Sequence, residues 1–235
     1  MSRTEISQAV VNGKKFLRNR RTLLLGISPG NPYYYRSDVL ERLFEFARQS
    51  TDKVLVFIPD KISEHNFRAV GSKNPEKSAR VKANRLKNKC DAAIKSSGFS
   101  DGSYSYISWT EEVETCPKYL EAYTRIQLLY QANEGFRTDI SQSTEMALRC
   151  LQRGREKAGE SSYKENEDGN ALDLQEGEKY LLKELAFLEA VPKIYESCRE
   201  FVVVYHRSWP VLENYMNGAY DDKVKPFLGF VILPQ

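Results

Sequence analysis

Ser28 stands between Gly26 and Gly30 in the segment TLLLGISPGN. This G-x-S-x-G spacing is typical of a nucleophilic serine held on a tight turn. The apolar residues before Ser28 predict a buried strand, and Asp38–Gln49 predicts the helix that follows. Backbone N–H groups converge at such a turn, so the amides of Gly30 and Asn31 are candidate oxyanion donors. The segment therefore suggests attack of a serine on an ester or a similar carbonyl.

A serine hydrolase would also need a histidine as general base, and His206 is the candidate that the sequence offers. His206 directly follows Tyr205 at the end of an apolar segment, VVVY. Hydrolases of the α/β class place their nucleophile after several strands, whereas Ser28 follows the first predicted apolar strand. A hydrolase that uses Ser28 and His206 stays open as one hypothesis.

Tyr180 and Glu184 form a third chemical pair within the segment YLLKE. They are four residues apart in a predicted helix over Glu178–Ala190, so both project from one face of it. A phenol and a carboxylate on one face can grip a cationic group by charge-assisted hydrogen bonds. An ordinary amphipathic helix with a core tyrosine would show the same spacing, so this pair alone decides nothing.

The most strongly charged element is a predicted helix over Asn74–Gly98, which Pro75 opens and Gly98 closes. Cations cover most of its circumference outside a narrow apolar stripe: Lys77, Arg80, Lys82, Arg85, Lys87, Lys89 and Lys95. Only Glu76 and Asp91 oppose them. A solvated helix normally mixes charges of both signs to form pairs one turn apart. The helix is therefore predicted to bind a polyanion.

Alternating strands and helices must position these residues. Besides the strand before Ser28, strands are predicted at Lys53–Ile58, Ser103–Trp109, Glu200–Tyr205 and Phe227–Leu233. Helices are predicted at Gln8–Asn19, Pro117–Asn133 and Phe136–Arg153, and a polar, mobile loop at Gly154–Gly177. The pattern indicates one α/β domain over residues 1–235, with a mostly parallel, Rossmann-like sheet flanked by helices.

Other classes of protein find little support in the sequence. The 235 residues contain no apolar run near the ~20 residues of a membrane span, and the N-terminus lacks a signal-peptide core. There is no GxxxxGK[ST] or GxGxxG motif for nucleotides. Scattered cysteines without a CxxC pair predict buried free thiols in a reducing cytosol and no zinc site: Cys90, Cys116, Cys150 and Cys198.

Taken together, GISPGN, YLLKE and the Tyr205-His206 end of VVVYH make the chain resemble the cyclodipeptide synthases from its first helix to its last strand. The resemblance implies the fold of the tyrosyl- and tryptophanyl-tRNA synthetase catalytic domains. It also implies synthesis of a cyclic dipeptide, a 2,5-diketopiperazine, from two aminoacyl-tRNAs. The HIGH and KMSKS motifs that class I synthetases use for ATP are missing. Their absence agrees with an enzyme that receives amino acids already activated, with no cofactor and no metal.

The resemblance also assigns roles to residues. Ser28 would take the aminoacyl group from the first aminoacyl-tRNA, and Tyr180 and Glu184 would hold its ammonium group. Tyr205 would relay protons during ring closure. Asn31 and His206 complete, with Tyr205, the set that defines the Asn-Tyr-His subfamily, and Tyr119 matches a further active-site tyrosine.

Substrate recognition follows from the same resemblance. The first aminoacyl side chain would enter an apolar pocket, which favours a hydrophobic amino acid and discriminates methylenes weakly. Its residues are Leu24, Gly26, Val54, Phe187 and Leu188. The basic helix would bind tRNA through Arg80, Lys82, Arg85, Lys87, Lys89 and Lys95. The enzyme is expected in the cytoplasm as a monomer, and a non-catalytic tRNA-binding module remains the second alternative.

Overall fold

Six strands form one sheet in the order β1-β6-β5-β2-β3-β4. The computed structural model describes residues 8–10, 21–157, 172–195, 201–221 and 228–232. The strands are β1 Gln8–Val10, β2 Thr22–Gly26, β3 Val54–Phe57, β4 Tyr104–Tyr106, β5 Phe201–Tyr205 and β6 Leu228–Ile232. Strands β2 to β6 run parallel, and β1 pairs antiparallel with β6 at the edge. The predicted mostly parallel α/β sheet is therefore confirmed.

Helices connect the parallel strands, as a parallel sheet requires. They are α1 Ser37–Ser50, α2 Ser63–Ala69, α3 Pro75–Ser96, α4 Pro117–Ala132, α5 Glu134–Lys157, α6 Leu174–Ile194 and α7 Pro210–Met216. A 3₁₀ turn spans Pro32–Tyr35, and a short π-helical turn spans Trp109–Val113. Pro75 and Pro117 open their helices as predicted, because the first helical position needs no N–H.

Two apolar layers cover the two faces of the sheet. Along β2, Leu24 faces a core built with α4, α6 and α7, whereas its neighbours Leu23 and Leu25 face α1 and α3. This alternation follows from the period of two in a strand. All three leucines are fully buried. The basic helix α3 and the helix α6 with Tyr180 and Glu184 therefore lie on opposite faces of one sheet.

The central strand β2 lies between β3 and β5, where the strand order changes direction. The carboxyl ends of these strands meet at one edge of the sheet, and such a switch point opens a crevice for ligands. Ser28 follows the end of β2, and Tyr205 ends β5. The fold thus brings together two motifs that are 177 positions apart in the chain by their residue numbers.

Several predicted elements were wrong in type or length. Gln8–Val10 is a strand rather than the start of a helix, because β6 offers it a pairing partner; residues 11–19 of that predicted helix lie outside the described residues. The strand predicted at Ser103–Trp109 covers only Tyr104–Tyr106, and Trp109 begins the π-helical turn.

The predicted loop over Gly154–Gly177 is helical at both ends. Helix α5 continues through Gly154 to Lys157, and α6 begins at Leu174; residues 158–171 lie outside the described residues. A Cβ on Gly154 would lie 2.5 Å from Cγ of Pro32, and one on Gly177 would lie 2.7 Å from Cγ2 of Thr144. These glycines therefore allow close packing and do not break the helices.

Within the described residues, no helix combines the length and the apolar character needed to cross a membrane. Cys90 is buried, but Cys116 and Cys150 are only half-buried, so the prediction of buried thiols was wrong for these two. All three are free thiols. Cys198 lies outside the described residues.

Candidate active site

The turn that carries Ser28 is held by its own backbone and by its neighbours. The N–H of Ile27 donates to the carbonyl of Phe57 at 2.9 Å, which extends the β2–β3 pairing up to the serine. The N–H of Asn31 donates to the carbonyl of Ser28 at 3.1 Å, closing the turn. This bond occupies one of the two predicted oxyanion donors. The amide of Gly30 remains the candidate for that role.

Ser28, Tyr180 and Glu184 form a chain of neighbouring polar side chains. The Tyr180 hydroxyl interacts with both Ser28 and Glu184, which shift the pKa of this phenol in opposite directions: Ser28 lowers it and Glu184 raises it. A phenol has one proton to donate and an ionised carboxylate can only accept. Tyr180 therefore donates to Glu184 and accepts from the hydroxyl of Ser28. The chain gives the serine proton a path to a carboxylate, which the sequence alone did not reveal.

Glu184 is the buried acid at the centre of the site. Its side chain lies at the sheet-facing side of α6 and also accepts a hydrogen bond from Tyr205 at 3.2 Å. Burial raises the pKa of Glu184 to about 7, although the hydrogen bonds from Tyr180 and Tyr205 pull that pKa down. A carboxyl with this pKa exists in both forms near neutral pH, so it can take up or release a proton there. Burial also raises the pKa of Tyr180 and of Tyr205, so both phenols stay protonated.

His206 belongs to a second cluster beside this chain. Its Nε2 lies 3.2 Å from Nδ2 of Asn31, and its Nδ1 lies 3.2 Å from the hydroxyl of Tyr34. The amide oxygen of Asn31 accepts the N–H of Tyr33, so the amide nitrogen faces His206 and donates to Nε2. Nδ1 then carries the ring proton and donates to Tyr34. The ring of Tyr33 stacks on the imidazole with centroids 4.3 Å apart.

This geometry argues against His206 as the base of a hydrolase. Nε2, the atom that would accept a proton from serine, instead accepts from Asn31. Burial, helped by Arg207, lowers the pKa of His206 to about 4. The imidazole is thus neutral at pH 7 and orients Asn31 and Tyr34.

We expect nitrogen-detected NMR of labelled protein to show His206 protonated on Nδ1 alone, with titration near pH 4 rather than near 6.5. The signals of His206 must be distinguished from those of His65, the other histidine of the chain, whose pKa burial also lowers. A base with a lowered pKa stabilises the fold above its ordinary pKa, and this contribution is lost as the pH falls from about 6.5 to 4. A titration of His206 near 6.5 would contradict the tautomer and its partners.

A cavity of about 110 Å³ opens in front of Ser28. Gly26, Asn31, Tyr34, Tyr180, Glu184, Tyr205 and His206 line one side of it. Helix α5 forms the other side with Ser143, Thr144, Met146, Ala147, Cys150 and Leu151. A Cβ on Gly26 would lie 3.2 Å from the Tyr205 hydroxyl, so this glycine leaves room for that phenol. The predicted set of Ser28, Asn31, Tyr180, Glu184, Tyr205 and His206 is therefore brought together around one cavity.

Other predicted site residues lie elsewhere. Tyr119 is buried in the core, edge-on to Trp109 and stacked on Tyr123, and is not part of the described cavity wall. Leu24, Phe187 and Leu188 are fully buried in the same core rather than on that wall. Val54 pairs with Leu23 and faces α1 and α3, on the opposite face of the sheet from Leu24. These residues therefore do not form one pocket with Gly26.

The sequence did not single out Tyr34 from its neighbours Tyr33 and Tyr35, which could be core or could line the pocket of the second amino acid, and it gave no prediction for the α5 wall. Tyr34 lies three residues after Asn31 in a run of three tyrosines, and the run gives no sign of which ring turns inward. It is buried against His206. On α5, Ser143, Ala147 and Leu151 recur every four residues. This spacing predicts one helical face, but only the fold shows that the face lines the cavity.

A charged network fixes α6 against α2. Glu176 of α6 accepts from Nδ1 of His65 at 2.7 Å and from Arg68 at 2.5 Å, and Lys179 also contacts it. The ammonium of Lys183 lies 2.9 Å from Nε2 of His65. Burial would raise the pKa of Glu176, but hydrogen bonds from Lys179, His65 and Arg68 lower it to about 2. The network lies one turn before Tyr180, so it positions the catalytic face of α6.

Replacing Glu176 with glutamine should lower the free energy of unfolding at pH 7 by about 1–3 kcal/mol, because the neutral amide keeps only one acceptor oxygen and leaves the buried His65 poorly matched. Urea unfolding at pH 7 measures the change. Glu145→Gln is the matched control, since Glu145 pairs with Arg149 on the surface of α5 and such pairs contribute under ~1 kcal/mol. Equal effects of the two substitutions would show that the network does not hold α6.

The described residues offer no ready metal site. No group of three or more histidine, cysteine or acidic side chains with the arrangement of a metal site occurs among the residues that the structure describes. His65 and His206 already use both of their ring nitrogens in the contacts given above. Neither histidine is therefore a ready metal ligand in this arrangement.

The fold places a serine at the switch point of a Rossmann-like sheet, an arrangement that suits acyl transfer. The chain belongs to the cyclodipeptide synthase family, whose model matches residues 7–235. No curated protein sequence gives a significant match.

Solved structures share the fold. A cyclodipeptide synthase from Bacillus thermoamylovorans is 22% identical with a TM-score of 0.80, covering 97% of this chain and 95% of that one. A Mycobacterium tuberculosis protein, described as relating these enzymes to type I tRNA synthetases, is 17% identical with a TM-score of 0.67, covering 97% and 92%. A cyclodipeptide synthase from Candidatus Glomeribacter gigasporarum, solved bound to Phe-tRNAPhe, is 18% identical with a TM-score of 0.60, covering 91% and 88%.

Proposed function

We propose that this cyclodipeptide synthase uses Ser28 as a covalent carrier for the first of two amino acids, each delivered as an aminoacyl-tRNA. The observation that carries the proposal is the chain from Ser28 through Tyr180 to Glu184 at the wall of the cavity. An aminoacyl-tRNA is an activated ester, so acyl transfer from it needs no ATP. Family membership supports the reaction class, and the geometry supports the roles of the residues.

In the first step, the oxygen of Ser28 attacks the ester carbonyl of an aminoacyl-tRNA. The serine proton moves through Tyr180 to Glu184 and is then passed on to the 3′-oxygen of the tRNA, which leaves as a hydroxyl and returns Glu184 to its ionised form. The amide of Gly30 is the candidate to stabilise the developing oxyanion. The product is an aminoacyl ester on Ser28 and a free tRNA.

In the second step, the amino group of this ester attacks the carbonyl of the second aminoacyl-tRNA. That amino group enters as an ammonium, which ionised Glu184 can hold and then deprotonate, because the pKa of Glu184 is about 7. An amide bond forms, the second tRNA leaves, and a dipeptide remains bound to Ser28. Tethering makes the following ring closure intramolecular.

In the third step, the new terminal amine attacks the Ser28 ester and closes the six-membered ring. The serine oxygen leaves and regains its proton. Tyr205 donates to Glu184 and lies next to Gly26, so its phenol is placed to pass a proton between the amine, the carboxylate and the serine. Asn31, His206 and Tyr34 keep this side of the cavity in shape through their mutual hydrogen bonds.

The same enzyme must also bind tRNA, select amino acids and meet charged tRNA in the cell. Helix α3 presents Arg80, Arg85, Lys87 and Lys95 as exposed cations, which suits the phosphates of tRNA. A hydrophobic first amino acid stays our prediction, although the residues assigned to that pocket by sequence lie in the core. We place the enzyme in the cytoplasm, where charged tRNA is made, and expect a monomer. The assignment to the Asn-Tyr-His subfamily rests on Asn31, Tyr205 and His206, which share the cavity.

Purified protein incubated with charged total tRNA, and without ATP, tests the proposal. We expect diketopiperazines by mass spectrometry, with two tRNAs discharged for each product molecule. Release of free amino acids alone would support the hydrolase, and binding of tRNA without either product would support the binding module. Uncharged tRNA with free amino acids and ATP is the control and should give no product.

A further inference from the structure

A second groove lies beside the Ser28 turn, between α3 and the end of α5. It consists of two adjoining cavities of about 120 and 280 Å³ that share Phe67, Lys82 and Arg155. The smaller one also shares Gly30 and Leu151 with the catalytic cavity. This α3–α5 groove therefore leads from the beginning of the basic helix to the turn that carries the nucleophile.

The groove is positively charged. Lys77, Lys82, Arg85 and Arg155 line it, and none of the described residues on its walls is acidic. Arg155 is only 9% exposed, and one of its nitrogens lies 3.5 Å from the carbonyl of Val70. A guanidinium held in a wall with other cations attracts anions, and its planar fork suits phosphate oxygens.

Tyr35 joins the groove to the nucleophile turn. Its hydroxyl lies 2.9 Å from the carbonyl of Pro29, directly after Ser28, and 3.1 Å from the carbonyl of Lys82 on α3. The guanidinium of Arg85 lies over its ring, 5.6 Å from the centroid. The ring is half-buried and lines the groove, so an aromatic surface lies among the cations.

Helical periodicity divides the cations of α3 between two flanks. At 100° per residue, Lys82 and Arg85 point to the groove, whereas Arg80 and Lys87 point to the other flank of the buried stripe. Lys87 accordingly lies over Tyr106 of β4, 4.9 Å from the ring centroid. The basic helix thus offers two surfaces of different kinds, one recessed and one open.

We propose that the α3–α5 groove holds the single-stranded 3′ end of an aminoacyl-tRNA and guides its terminal ester to Ser28. The inference rests on the proposed function and adds the path of the substrate. Sites for single-stranded nucleic acid combine cations along the backbone with aromatic rings on which bases stack, and this groove has both. The open flank with Arg80 and Lys87 is left for the duplex part of the acceptor stem.

Two uncharged RNA hairpins test the groove by fluorescence anisotropy. One carries a four-nucleotide single-stranded 3′ end that finishes in CCA, and the other has the same stem with a blunt end. We expect the native protein to bind the first at least ~5-fold more tightly. Arg85→Gln and Arg155→Gln should reduce this preference to below ~2-fold.

Arg80→Gln is the matched control, because it removes the same charge from the open flank. It should weaken binding of both hairpins by similar factors and keep their ratio. Circular dichroism checks folding, and Arg85→Gln carries the test if the buried Arg155 variant fails to fold, since Arg85 is exposed. If Arg85→Gln leaves the ratio of the two hairpin affinities unchanged, or if the native protein shows no preference, the groove does not bind the single-stranded 3′ end.

The same hairpins separate this inference from the proposed function. Ser28→Ala should retain the preference for the single-stranded end, since the groove does not need the nucleophile. If the preference is retained but the native enzyme makes no diketopiperazine, the groove still binds the 3′ end and the synthase mechanism is contradicted. Product formation with no preference between the hairpins would do the reverse.

Discussion

Ser28→Ala is expected to abolish covalent loading and to lower cyclic dipeptide formation by at least about 1,000-fold, the scale on which loss of a nucleophile acts. The variant keeps the cavity and the Tyr180–Glu184 bond, since only one oxygen is removed. Radiolabelled aminoacyl-tRNA is mixed with the protein, quenched with acid, and the label that remains on protein is counted. The native chain should retain one aminoacyl group on Ser28.

Ser37→Ala is the matched control for this experiment. Ser37 is exposed at the start of α1, only nine residues after the nucleophile, and should load normally when replaced. Peptide mapping of the trapped protein should place the label on the peptide that contains Ser28. Label on another residue, or full product formation by Ser28→Ala, would sink the covalent mechanism.

Glu184→Gln should reduce kcat/KM by about 100-fold, because the carboxylate both holds the substrate ammonium and accepts protons. The native enzyme should show activity that rises with pH through about 7, since ionised Glu184 is the active form and its pKa lies there. This rise in activity near pH 7, the pH limb of the rate profile, should be missing in Glu184→Gln. Initial rates, corrected for spontaneous hydrolysis of the ester, measure both effects.

Glu178→Gln provides the control for the pH limb. Glu178 is also buried on α6 and accepts a hydrogen bond from a phenol, Tyr130 at 2.6 Å, but it does not line the cavity. Its replacement should leave the limb near pH 7 in place. A limb that persists in Glu184→Gln would assign the titration to another group.

Glu184→Gln should also stabilise the fold at high pH. An acid whose pKa is raised from 4.5 to about 7 destabilises the native state progressively across that window, and the full cost applies above it. At about 1.4 kcal/mol for each pH unit between the two values, the cost is about 3 kcal/mol. The midpoint temperature of thermal unfolding should therefore be higher for Glu184→Gln than for the native chain at pH 8. Below pH 4.5 the two midpoints should be equal.

Much of the site was predictable because it lies at the ends of strands. Ser28 and Tyr205 each end an apolar segment, and parallel strands place such ends at one edge of the sheet. The spacing of Tyr180 and Glu184 put both on one helix face, as the structure confirms. These predictions needed only local sequence patterns and the rule that parallel strands end at one edge of their sheet.

Other features depend on register and packing, which a single sequence does not contain. Leu24 and Val54 were assigned to one pocket, but Leu24 pairs with Leu55, so Val54 faces the opposite side of the sheet. Tyr119 was placed in the site by resemblance, and the core around Trp109 keeps it away. The raised pKa of Glu184 also needed the fold, because burial is its main cause.

The pairing of β2 with β5 also governs when the site can form during folding. Residues 22–25 pair with 201–204, and Asn31 contacts His206 across 175 positions of the chain. Contacts this distant close slowly, because the loop entropy is lost before the pairing stabilises the sheet. On the ribosome, the nucleophile turn is made early but remains without Tyr205 and His206 until β5 emerges. A nascent chain stalled before β5 should therefore expose Ser28 without being able to load it.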